Sequence, residues 1–150
     1  MDTAIPTSGS TNAGKFGYPN ASCNKTGYLT VQEEPLHRIY WEEYGTADGE
    51  PVMFLHGGPG AGCHRSSARF FNPERYRIIL FDQRGCGKST PSAGDDDTSA
   101  ALSDNTTAHL IGDVLRLRSE LDIHGKMHVF GGSWGQHAGS GLRDRPPRRP

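Results

Sequence analysis

Three short apolar runs mark the chain: Val52 to Leu55, Arg77 to Phe81 and Met127 to Phe130. None alternates apolar with polar, which predicts strands buried on both faces, as in a parallel sheet covered by helices. Each runs straight into a glycine-rich loop: His56-Gly-Gly-Pro-Gly60, Asp82-Gln-Arg-Gly85 and Gly131-Gly-Ser-Trp-Gly135. Ligands of such sheets bind beyond the carboxyl ends of the strands.

Upstream, Tyr28 to Gln32 and Leu36 to Tyr44 read as two further strands. In the second, Leu36, Arg38, Tyr40 and Glu42 alternate with His37, Ile39, Trp41 and Glu43. Thr46 to Glu50 has turn chemistry, with Asp-Gly favouring positive φ. Leu110, Ile111, Val114, Leu115, Leu117 and Leu121 recur near helical spacing after the capping residues Asn105 to Thr107. Arg116, Arg118 and Glu120 fall on a solvated face, and Gly125 is the expected C-terminal cap. A shorter helix is expected over His64 to Phe71, and a polar loop over Thr90 to Ser103 with a solvated acidic turn at Asp95 to Asp97.

Residues 1–26 are mostly Ser, Thr, Gly, Asn and Ala, without the apolar segment of a secretory signal, and read as a flexible leader. Order is expected from Gly27. Apolar residues are 33% of the chain, with 20 glycines besides, which is ordinary for a globular protein. A formal charge of −1 gives no global attraction to nucleic acid or anionic lipid. No run approaches the roughly 18 apolar residues of a membrane helix. Cys23, Cys63 and Cys86 cannot all pair and match no zinc spacing, so reduced thiols in a cytoplasmic protein are expected.

The chemistry sits in the loops. Gly131-Gly-Ser133-Trp-Gly135 fits G-x-S-x-G directly after an apolar strand, the pattern of a nucleophile elbow. There the serine occupies a sharp strand-to-helix turn, and the amide of the next residue, Trp134, points at a developing oxyanion. His56-Gly-Gly-Pro-Gly60 offers a second donor from the Gly57 or Gly58 amide, since Pro59 has none. His56 is read as the residue that orders this loop rather than as a base. Two alternatives fail. Gly85 to Thr90 resembles the end of a phosphate-binding loop, but Asp82 stands where that motif needs glycine. The glycines at 57, 58, 60 and 62 form no G-x-G-x-x-G.

With these blocks in this order, the chain resembles the proline iminopeptidase family of α/β-hydrolases. The resemblance runs from about Gly27 to Gly135. It rests on Tyr40 to Gly45, Val52 to Cys63, Phe71 to Thr90, Asn105 to Thr107 and Val129 to Gly135. It implies the N-terminal half of an α/β-hydrolase fold and a serine aminopeptidase that releases N-terminal proline from peptides. The implied nucleophile is Ser133, and the implied oxyanion hole is Trp134 with Gly57 or Gly58. No cofactor or metal is implied, and no nucleic-acid or membrane partner. An esterase or a broader aminopeptidase on the same scaffold is the alternative within the class. A non-catalytic fragment is the alternative outside it.

The resemblance stops after the elbow. The fold's triad follows the order Ser, then Asp or Glu, then His. After Ser133 the sequence holds His137 and Asp144 in reverse order, within a tail rich in Pro and Arg. Residues 136–150 therefore read as aberrant, distinct from the partial domain at 27–135. Gln136 to Asp144 can be encoded so that the same bases, read one position later, give Asn-Thr-Leu-Ala-Leu-Ala-Tyr-Ala. That is the small apolar helix the family carries here, which points to a reading-frame shift or mis-predicted splicing. The literal polypeptide is expected to be inactive.

Overall fold

The computed structural model describes residues 17–58, 60, 62–94 and 98–132. Five strands form one mixed sheet: β1 (Cys23–Gln32), β2 (His37–Gly45), β3 (Glu50–Leu55), β4 (Tyr76–Phe81) and β5 (His128–Gly131), in the order β1-β2-β4-β3-β5. β2 runs antiparallel to both β1 and β4, whereas β3 runs parallel to β4 and to β5. A 3₁₀ helix (Arg65–Phe70) links β3 to β4, and helices α1 (Thr98–Leu102) and α2 (Thr107–Glu120) lie between β4 and β5.

The unbroken apolar runs are explained by cover on both faces. Met53 and Leu55 of β3 and Ile79 and Phe81 of β4 pack with Leu110, Val114 and Leu117 of α2. The alternate residues Val52, Ile78 and Leu80 pack on the other face with Ala68 of the 3₁₀ helix and Phe71. In β2 the set containing Ile39 and Trp41 faces α2. Glu43, also in that set, is buried and is held by Arg77, whose guanidinium donates twice to its carboxylate at 2.7 and 2.9 Å.

Several boundaries differ from the sequence reading. β1 starts at Cys23 rather than Tyr28, because the polar residues from Lys25 to Gly27 pair through their backbone with Trp41 to Glu43. The turn after β2 takes its positive φ at Gly45, where a Cβ would collide with the Tyr76 carbonyl. The helix expected over 64–71 is a 3₁₀ turn, and α1 occupies part of the stretch read as a loop. Asp95 to Asp97 lie outside the described residues. Thr106 caps α2, its side chain accepting from the His109 amide. The helix ends at Glu120 with Leu121 as its cap, and Asp122 follows in the left-handed conformation. Gly125, the expected cap, also has a positive φ but lies beyond the helix end.

Candidate active site at the carboxyl edge of the sheet

The site begins with strand register. β3 and β5 are adjacent and parallel, with Leu55 opposite Gly131. The chain therefore leaves both strands at the same edge, and the segment His56 to Gly58 emerges beside Gly132. Gly57 is half-buried and Gly58 exposed. Ser133 and Trp134 follow Gly132 directly in sequence but lie outside the described residues.

The loop after β4 fastens the loop after β3. Gln83 donates its backbone N–H to His56 Nε2 at 3.0 Å and its side-chain amide to the His56 carbonyl at 2.8 Å. His56 Nδ1 lies 2.8 Å from the Gly57 carbonyl. His56 thus orders the loop, with both ring nitrogens already engaged. The buried Asp82 carboxylate is a second fastening. It accepts from the Cys63 amide at 2.5 Å and from the Lys88 amide at 2.8 Å, joining the two loops. Gly87, at φ +54, packs against that carboxylate so closely that a Cβ would overlap it. Arg84 anchors the second loop to α2 through a buried, two-pronged pair with Asp113 at 2.7 and 2.8 Å. It also donates to Gln32 Oε1 at 2.6 Å.

Other nucleophiles at this edge are held back. Burial pushes the Cys63 thiol up to about 12, with the Asp82 charge adding to the effect. Burial also raises the Cys86 thiol, against a smaller opposing pull from the Gly60 and Gly62 amides. Both remain protonated and weakly nucleophilic near neutrality. Glu42 is committed elsewhere. Burial raises its pKa, but hydrogen bonds from Tyr44 and Tyr40 and the Lys88 charge outweigh that and hold the carboxylate ionised. A groove of about 530 Å³ lies away from the strand ends, between β1 and α2. Its buried polar groups, Arg84 and Asp113, are spent on each other. Among the described residues no group of His, Cys, Asp and Glu is arranged to hold a metal ion, and no helix is long and apolar enough to cross a membrane.

The structure therefore brings the Gly57 and Gly58 loop beside the strand that leads to Ser133. The sequence marked Asp82-Gln-Arg-Gly85 as a strand-end loop but assigned Asp82, Gln83 and Arg84 no fastening role, and it did not single out Asp113. One signal for Asp113 was present. It lies three residues after Leu110 and four before Leu117, so it falls on the apolar stripe of α2.

Comparison with known proteins agrees with this arrangement. The family pattern of the alpha/beta hydrolase fold matches residues 50–135. The chain is 48% identical over 124 residues to a proline iminopeptidase of Neisseria meningitidis, covering 83% of this chain and 37% of that protein. It is 53% identical over 110 residues to a proline iminopeptidase of Arabidopsis thaliana, covering 73% and 26%. Among solved structures, a proline iminopeptidase-related protein of Thermus thermophilus superposes with a TM-score of 0.66 at 27% identity, covering 82% of this chain and 41% of that one. The chain thus spans little more than a third of the Neisseria relative's length.

Proposed function

The chain belongs to the alpha/beta hydrolase fold family, and from that premise we propose that it carries the nucleophile half of a serine aminopeptidase releasing N-terminal proline. The observation that carries this reading is the parallel pairing of β3 with β5 at Leu55 and Gly131. It sets a glycine loop beside the entry to a G-x-S-x-G turn, as a two-donor oxyanion hole requires.

In this reading Ser133 Oγ attacks the carbonyl carbon of the N-terminal proline. The Trp134 amide and an amide of the Gly57–Gly58 loop receive the oxyanion. The peptide bond after proline breaks, and the rest of the peptide leaves as an amine carrying the serine's proton. The proline residue, held as an acyl-enzyme, is released as the free amino acid when water replaces Ser133 Oγ. The choice of proline rests on the similarity to the Neisseria and Arabidopsis enzymes. The acid and base of the triad belong, in this reading, to the part of those relatives that the chain does not span. His137 and Asp144 stand in the wrong order to replace them. The cell compartment assigned to this activity is the cytoplasm.

The test is to express the locus with the alternate frame after Gly135 and its downstream sequence. Ser133-dependent release of proline from proline-initiated peptides is expected. Stop codons directly after the shift, in verified genomic sequence, would refute the frame reading.

A further inference from the structure

The hydrogen bonds around His56 determine which loop amide is free to serve. The inference rests on the reading that this loop supplies an oxyanion donor. His56 is buried, and its Nε2 accepts the Gln83 backbone N–H. A ring nitrogen that accepts cannot carry the proton, so neutral His56 holds its proton on Nδ1. From Nδ1 it donates to the Gly57 carbonyl. The Gly57–Gly58 peptide is trans, and a trans peptide directs its N–H opposite to its C=O. With the Gly57 carbonyl drawn to the imidazole, the Gly58 N–H faces away from it, on the exposed side of the loop.

The preceding peptide is fixed as well. Its carbonyl, on His56, accepts from the Gln83 side chain on the β4 side of β3. This sends the Gly57 N–H toward the β5 side, along the direction of the sheet ladder.

We propose that Gln83 is a positioning residue for the oxyanion loop: it holds His56 as the Nδ1–H tautomer and so turns the Gly58 amide, rather than that of Gly57, outward as the donor. Gln83 touches no substrate in this scheme. It acts through two successive peptide planes.

The experiment is nuclear magnetic resonance on the 150-residue chain labelled with ¹⁵N, at about pH 8, above the ordinary histidine range. Every sample carries Phe130→Lys, which charges the β5 edge against association, and wild type here means Gln83 intact. The His56 ring nitrogens report the tautomer, and the Gly58 residual dipolar coupling reports the direction of its N–H. The expected wild-type result is a protonated Nδ1, an unprotonated Nε2 and a fixed Gly58 coupling. Gln83→Ala removes the side-chain bond, and Gln83→Glu sets a carboxylate against the His56 carbonyl. In both, the residue-83 backbone N–H still holds the Nδ1–H tautomer, but the His56 carbonyl is released and the Gly58 coupling shrinks, while the couplings of Ile78 and Ile79 in β4 hold. A wild-type Nε2–H tautomer overturns the proposal, and so does a wild-type chain lacking dispersed signals for His56 and Gly58. A Gln83→Ala chain with an unchanged Gly58 coupling overturns it too. If both variants unfold, the wild-type tautomer decides. Failure of the catalytic reading is separable, because that reading is tested by activity in the longer chain, whose absence leaves these spectra unchanged.

Discussion

At the scale of single residues, Arg84 is a costly group to disturb. Its charge is 4% exposed and its partner Asp113 2% exposed. Removing one member of a buried pair leaves the other charge uncompensated. Asp113→Ala is therefore expected to destabilise the fold by about 3–5 kcal/mol, read as a lowered urea midpoint. A shift under about 1 kcal/mol, the scale of an exposed pair, would show that the pair is dispensable. His37 gives a pH prediction. It is buried on β2, and neither ring nitrogen has a hydrogen-bond partner among the described residues. Burial lowers its pKa, and the Arg84 and His109 charges add to this, while Asp113 and Asp104 oppose it. The unfolded chain therefore takes up a proton more readily than the folded one. Stability is fully present above the ordinary value of 6.5 and declines as the pH falls through it toward the lowered folded value. In His37→Phe this slope should vanish from urea titrations taken across that range. An unchanged slope would assign it to the carboxylates instead. Asp113 was legible only in part. Helical spacing places it on the buried stripe, but its partner comes from a loop distant in sequence, and periodicity carries no information about such pairing.

At the scale of elements, the three unbroken apolar runs were legible because two-sided burial leaves a strong mark in hydropathy. The start of β1 was not. Lys25 to Gly27 join the sheet through backbone hydrogen bonds that any side chain permits. α1 was missed because Thr98–Leu102 is too short to develop a helical period. Among the described residues β5 pairs with β3 alone, and within them no strand covers its other edge. Beside it, Phe130 is 49% exposed and Phe70 60% exposed, in ring contact with each other and with Phe54. Isolated as 150 residues, the chain should exchange the Val129 and Phe130 amides far faster than those of Ile78 and Ile79. It should also self-associate at micromolar concentration. Phe130→Lys, which places a charge on the edge strand, should reduce that association in light scattering. A monomeric wild type with equal protection in β5 and β4 would contradict this account.

At the scale of the whole molecule, the gathering of the glycine-rich loops at the carboxyl edge was legible because they follow apolar strands in a fixed order. What the sequence could not convey was how the loops are tied: through His56, Gln83 and Asp82, across the sheet. In the proposed reading the acid and base lie in the part of its relatives that the chain does not span, so the 150-residue polypeptide by itself should hydrolyse proline p-nitroanilide no faster than its Ser133→Ala variant. The most direct measurement joins residues 1–135 to the remaining length of the Neisseria meningitidis proline iminopeptidase and assays proline p-nitroanilide, alanine p-nitroanilide and p-nitrophenyl acetate. The account predicts a marked preference for the proline substrate and a loss on the order of 10⁴-fold or more in Ser133→Ala. A folded chimera that is inactive, that prefers the ester, or that keeps its activity without Ser133 would contradict it.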